Sequence, residues 1–347
     1  MIYKRVAAFY RRVVYCKELT RNMSEVGKYS VFITRSDMPD IGVNLLKKEC
    51  NVKLWEKPSP VPRAEFLKEV AGTNGIYCAL TDKIDKELLD AAGPNLKVVA
   101  TISVGYDHID VQECKRRGIK IGYTPDVLTD ATAELTLALL LSTSRRLPEA
   151  QREARTGGWV SWAPTWMTGP GLAGSTVGIV GFGRIGQAVA RRVKAFNTSK
   201  ILYYNRSEKP EAKETGAVKV SFDELLRDSD FVICCAALVS ETKEIFNKSA
   251  FDKMKNTAVF INTSRGGTVD QDALIEALKT NNIRAAGLDV TTPEPLPLDS
   301  PLFKLKNCVI LPHIGSATIE ARNTMSELTA NNILTALNGK DMPAELK

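Results

Sequence analysis

The run Val177-Gly178-Ile179-Val180-Gly181-Phe182-Gly183-Arg184-Ile185-Gly186 constrains this chain more than any other segment. A short apolar strand passes into G-x-G-x-x-G and then into an amphipathic stretch over residues 185–196. In that setting each glycine has its own task. Gly181 permits a tight turn, Gly183 lets the backbone approach a pyrophosphate, and Gly186 allows helix and strand to pack closely. The helix start that follows offers unpaired N–H groups and the positive end of the helix dipole, so the expected ligand is a dinucleotide.

The rest of the chain supplies the sheet that such a loop needs. From residue 28 onward, short apolar runs at 29–34, 52–55, 75–80, 96–102 and 119–122 read as strands, separated by helical patterns at 41–49, 63–70, 86–91 and 109–117. A second series begins near Thr176, with strands expected at 177–180, 200–204, 231–235, 258–262, 285–289 and 308–311 and helices at 185–196, 222–227 and 270–279. Alternation of this spacing builds βαβ units and parallel sheets. Residues 130–147, capped by Asp130 and ending near Pro148, should connect two domains, while 319–337 should cross back to the first. The expected fold is α/β: two doubly wound parallel-sheet domains, a Rossmann cofactor domain inserted in a flavodoxin-like substrate domain. On this division 29–128 and 313–347 form the substrate domain, 129–312 the dinucleotide-binding domain, and 1–28 a basic N-terminal extension.

Charge and composition remove other function classes. The formal charge is +7, but six basic side chains against Glu18 alone in residues 1–22 account for +5 of it. The remainder lacks the basic stripe that nucleic acid demands, so no nucleic-acid partner is expected. No apolar stretch, that at 135–141 included, approaches the roughly 20 residues of a membrane span, so no membrane partner is expected either. Seven cysteines lie without paired spacing, the pattern of reduced thiols inside a cell. Neither histidine, His108 or His313, has a His or Cys neighbour at ligand spacing, so no metal site is expected. Residues 1–22, with Tyr3, Phe9, Tyr10 and Tyr15 among their basic side chains, suit either an unstructured extension or a transit peptide ahead of Met23. The expected compartment is the cytoplasm, or the mitochondrion if that segment is a transit peptide.

Other segments carry chemistry. Nineteen residues beyond Gly186, where an NAD enzyme places a carboxylate on the ribose, stand Asn205, Arg206 and Ser207. Nothing there repels a 2′-phosphate and Arg206 can bind one, so NADP is the expected cofactor and NAD the less preferred. Arg265, Glu294 and His313 each fall at the C-terminal end of an expected strand, where ligands gather in this architecture. Reduction of a 2-oxo acid needs a cation for the carboxylate and carbonyl, a proton donor near neutral pH, and an acid partner for that donor. His108 is the rival donor; with Asp107 read as a helix cap it falls in the first helical turn and is expected to be structural. The preceding Ser103, Val104 and Gly105 lie at a strand-to-helix turn whose N–H groups can hold a carboxylate.

With these residues in this order, the chain resembles the D-isomer-specific 2-hydroxyacid dehydrogenase family. The likeness spans about residues 31–347 and includes SVGYDHID, GYTPDVLTDATAEL, GGWVSW, STVGIVGFGRIGQA, INTSRGG, GLDVTTPEPLP and LPHIGSAT. It implies NADPH-dependent reduction of small 2-oxo acids, glyoxylate to glycolate and hydroxypyruvate to D-glycerate, with His313 as proton donor and Glu294 favouring its charged form. Arg265, aided by the backbone at Val104 and Gly105, would orient the substrate. Gly181, Gly183, Arg184, Ile185 and Gly186 would meet the pyrophosphate and Asn205, Arg206 and Ser207 the adenosine end, with Thr263, Asp289 and Gly315 near the nicotinamide. Trp162 would reach into a partner subunit's site, which implies a homodimer. Two alternatives share the fold: a phosphoglycerate dehydrogenase-like enzyme, set against by the 34 residues after His313, and an NAD(P)-sensing co-repressor-type binding protein.

Overall fold

The computed structural model describes residues 27–347. The expectations for residues 1–22, and most of the 1–28 extension, lie outside the described residues.

The apolar runs form two wholly parallel sheets. The first holds β1 (Ser30–Ile33), β2 (Asn51–Leu54), β3 (Gly75–Cys78), β4 (Val98–Thr101) and β5 (Lys120–Gly122) in the order β2-β1-β3-β4-β5. The second holds β6 (Thr176–Val180), β7 (Lys200–Tyr204), β8 (Val218–Lys219), β9 (Phe231–Cys234), β10 (Val259–Asn262), β11 (Ala285–Leu288) and β12 (Cys308–Ile310). Its order is β12-β11-β10-β9-β6-β7-β8. Every residue of β3, β4, β9, β10 and β11 is buried, as expected of strands with helices on both faces. The first order is flavodoxin-like and the second Rossmann-like, and each reverses direction once: at β1/β3 and at β6/β9. Ligand crevices open at the carboxyl ends of strands at such reversals.

Three local expectations are corrected. β8 went unread because its two residues lie exposed at a sheet edge, where no apolar pattern is required. The segment at 130–147 is two helices, Thr129–Ser144 and Leu147–Thr156, broken where Arg146 adopts φ 54°. Asp130 lies inside the first of these, whose cap position is Leu128, and Asp130 instead pairs with Arg192 at 2.9 Å. The helix read at 109–117 spans Val111–Arg116 and is capped by Asp110, which accepts from the Glu113 amide at 3.0 Å. Asp107 and His108 therefore belong to the loop before it.

The helix Ile319–Leu337 follows the second sheet yet packs on the first. Gly42 makes this possible: a Cβ there would lie 2.3 Å from the Ser326 carbonyl oxygen, so only glycine lets the two helices approach. Ser326 Oγ then donates to the Pro39 carbonyl at 2.8 Å and bonds Tyr77 Oη at 2.9 Å. No helix among the described residues is long and apolar enough to cross a membrane.

Candidate active site

The glycine loop stands at the carboxyl end of β6, beside the β6/β9 reversal. Gly181 has φ 91°, and a Cβ there would lie 2.5 Å from the Ala236 amide nitrogen. A Cβ on Gly186 would stand 2.3 Å from the Gly181 carbonyl oxygen. Gly183 differs: a Cβ there meets no heavy atom within 4 Å, so its neighbourhood within the chain is open. The helix Arg184–Lys194 begins at this point with no side-chain cap and no acid in its first turn, which leaves its early N–H groups available. An uncapped helix start against open space suits an anionic pyrophosphate, so these residues fit a dinucleotide. Arg184 itself ion-pairs with Asp126 from the chain's first half.

At the end of β7, Asn205 is committed inside the protein. Its Oδ1 accepts from the Phe182 amide at 3.2 Å and its Nδ2 donates to the Ser207 carbonyl at 2.9 Å, tying the glycine loop to the segment beside it. Arg206 and Ser207 are exposed, and no carboxylate stands among the three.

The catalytic candidates come from the next strand ends. Buried Asp289, after β11, receives three amides through its carbonyl and carboxylate: His313 at 2.9 Å, Ile314 at 2.8 Å and Gly315 at 2.8 Å. These hold His313 at φ 54°, a left-handed conformation that costs on the order of 1–3 kcal/mol in a non-glycine residue and persists only when its surroundings fix it. His313 Nδ1 then lies 2.8 Å from Glu294 Oε2, while Glu294 Oε1 accepts from the Thr291 amide at 2.9 Å. Burial opposes ionisation of Glu294, but the hydrogen bond and charge of His313, the Thr291 amide and the charge of Arg265 hold its pKa below the usual carboxylate value. With Nδ1 taken by Glu294, Nε2 is the nitrogen left for a substrate.

Arg265 follows β10 through Asn262, whose buried side chain donates to the Arg265 carbonyl at 3.0 Å and accepts from the Ser264 amide at 3.0 Å. Beyond the loop, Arg265 Nε reaches Asp107 at 2.9 Å. Gly105 packs so tightly on the guanidinium that a Cβ would fall 1.7 Å from Nη2. The loop containing Val104 and Gly105 is therefore joined to Arg265 across the two sheets' segments. Thr263 is fixed through its hydroxyl to Thr136 at 2.8 Å. Trp162 lies outside this hydrogen-bonded set, 82% exposed on a loop with Trp159 and Trp166.

Two residues of the set, Asp107 and Asn262, were missed in the sequence. Asp107 reads there as a helix cap, and its partner stands 158 residues away. Asn262 gives only a faint signal, a polar side chain closing an otherwise apolar strand.

A nucleotide-type sheet, an uncapped helix start, and an Arg with a His–Glu pair at neighbouring strand ends together define a nicotinamide-dependent oxidoreductase site. A family profile for the D-isomer specific 2-hydroxyacid dehydrogenase NAD binding domain matches residues 137–315. The chain is 54% identical over 327 residues to the glyoxylate reductase/hydroxypyruvate reductase of Homo sapiens, covering 94% of this chain and 100% of that one. It is 48% identical to the glyoxylate reductase of Thermococcus kodakarensis, over 90% of this chain and 94% of that protein. The crystal structure of an NADPH-dependent glyoxylate/hydroxypyruvate reductase from Sinorhizobium meliloti, in complex with NADP and malonate, superposes with a TM-score of 0.79 at 30% identity, covering 92% and 97% of the two chains. The chain belongs to the D-isomer-specific 2-hydroxyacid dehydrogenase family.

Proposed function

We propose that this protein reduces glyoxylate to glycolate and hydroxypyruvate to D-glycerate with NADPH, as a homodimer. The observation that carries the reading is the 2.8 Å His313–Glu294 pair, which lies within electrostatic reach of Arg265. Arg265 supplies the cation for carboxylate and carbonyl, and the N–H groups at Val104 and Gly105 complete the carboxylate's hold. When bound, the reduced nicotinamide supplies the hydride. His313, oriented by Glu294 through Nδ1, gives its Nε2 proton to the carbonyl oxygen, so C2 gains a hydrogen and its oxygen becomes a hydroxyl. The uncapped N–H groups at Arg184, Ile185 and Gly186 would hold the pyrophosphate, and Arg206 with Ser207 the 2′-phosphate. Residues 29–128 with 313–347, and residues 129–312, are the two domains of this reading.

The names of relatives support the substrate class, and the absence of a carboxylate at Asn205-Arg206-Ser207 supports the cofactor. Incubation of hydroxypyruvate with NADPH and chiral analysis of the product test it. D-glycerate is the expected product; L-glycerate, or no turnover of hydroxypyruvate or glyoxylate, would overturn the proposal.

A further inference from the structure

His108 lies next to this site without belonging to its reacting set, and its surroundings are unusual. Its Nε2 stands 3.0 Å from Thr101 Oγ1, which stands 2.9 Å from Ser103 Oγ, which in turn stands 2.6 Å from the Gly105 carbonyl oxygen. Thr101 and Ser103 are buried, and His108 Nδ1 is buried with no hydrogen-bond partner.

The direction of every bond in this chain follows from its end. A carbonyl oxygen only accepts, so Ser103 must spend its one hydroxyl proton on Gly105. Ser103 Oγ then accepts from Thr101, whose own proton is thereby used, and Thr101 Oγ1 must accept from His108. His108 consequently carries its proton on Nε2 and leaves Nδ1 a bare, buried acceptor. Burial, with Arg265 acting in the same direction and Asp107 against it, lowers the His108 pKa to about 4, which keeps that tautomer neutral at working pH. One imidazole N–H thus sets the polarity of a relay that ends on the peptide following Gly105.

We infer that His108 is a positioning residue: through Thr101 and Ser103 it holds the Gly105 carbonyl inward and so fixes the Val104–Gly105 backbone for a substrate carboxylate. The loop is clamped from both sides, by this relay at Gly105 and by Asp107 on Arg265. This inference rests on the proposal that Val104 and Gly105 hold the carboxylate.

The test is steady-state kinetics with glyoxylate on His108→Leu, Thr101→Val, Ser103→Ala, His108→Gln and Val104→Pro. The first three each raise KM for glyoxylate about tenfold, leaving KM for NADPH unchanged and kcat within about threefold. His108→Gln, which keeps an N–H donor of similar reach, restores most of the loss. The double variant His108→Leu with Ser103→Ala is no worse than the poorer single one, because both cut one relay. KM within twofold of the unmodified enzyme for Thr101→Val and Ser103→Ala, or an additive double variant, overturns the inference; these two keep it decidable if His108→Leu fails to fold. Val104→Pro removes one of the loop's N–H groups without placing a Cβ against Arg265; if it raises KM for glyoxylate while the relay variants do not, the relay falls and the carboxylate reading stands. If Val104→Pro also leaves KM unchanged, the carboxylate reading itself falls.

Discussion

Glu294 and His313 show how much a single contact asks of its surroundings, since the 2.8 Å pair exists only because Asp289 holds the His313 backbone left-handed. If His313 donates the proton, His313→Ala and Glu294→Gln should each lower kcat by roughly two to four orders of magnitude, the usual scale for general acid–base catalysis. Near-normal turnover by His313→Ala would remove it from that role. His108 makes a different prediction, through stability. Its folded pKa of about 4 lies below the ordinary 6.5, so between these values the unfolded chain binds the extra proton and acid favours unfolding. Stability should fall by up to about 3 kcal/mol as pH drops from neutrality to about 4, and His108→Gln should abolish that share of the slope. Urea titrations of both proteins across this range decide it; identical slopes would contradict it. At this scale the sequence revealed residue types better than partners. Arg265, Glu294 and His313 were legible because each stands in the segment that follows an apolar strand, whereas the Asp107–Arg265 contact joins residues no local pattern connects.

The elements were legible wherever burial forces a pattern. Strands buried on both faces left long apolar runs, and the Ile319–Leu337 helix kept its expected bounds. Boundaries set by a single hydrogen bond were not legible: three acids precede or open helices at Asp107, Asp110 and Asp130, and only Asp110 is a cap. The glycine loop separates two kinds of requirement within one motif. Gly186→Ala drives a Cβ to 2.3 Å of the Gly181 carbonyl oxygen and should destabilise the protein by about 1–3 kcal/mol, as overpacking usually does. Gly183→Ala meets nothing in the chain and should leave the melting temperature unchanged while weakening NADPH binding. Equal loss of stability in both, seen by calorimetry, would mean that Gly183 serves the fold and not the ligand.

The whole molecule joins its two sheets by an apolar helix and a returning one. The helix Thr129–Ser144 is already buried within the chain through Leu137, Leu139 and Leu140, so it needs no partner to cover it. On the loop beyond, Trp159, Val160 and Trp162 are 62%, 91% and 82% exposed, and exposed aromatic clusters of this kind usually mark interfaces, which is the basis for the proposed dimer. Sedimentation should give a dimer at micromolar concentration, with Trp162→Ala raising KM for the 2-oxo acid; a fully active monomer would contradict this. The cofactor choice is likewise set by what surrounds one ligand. Asn205 is held by Phe182 and Ser207, so Asn205→Asp would keep the first contact, lose the second and set a carboxylate beside the 2′-phosphate, shifting preference towards NADH. In the proposed NADPH complex a charge-assisted contact from Arg206 would contribute on the order of 1.5–3 kcal/mol. The most direct measurement is kcat/KM for glyoxylate reduction by the unmodified enzyme with NADPH and with NADH. NADPH should be favoured at least about tenfold, or about 1.4 kcal/mol; equal values, or no turnover with either, would contradict the account.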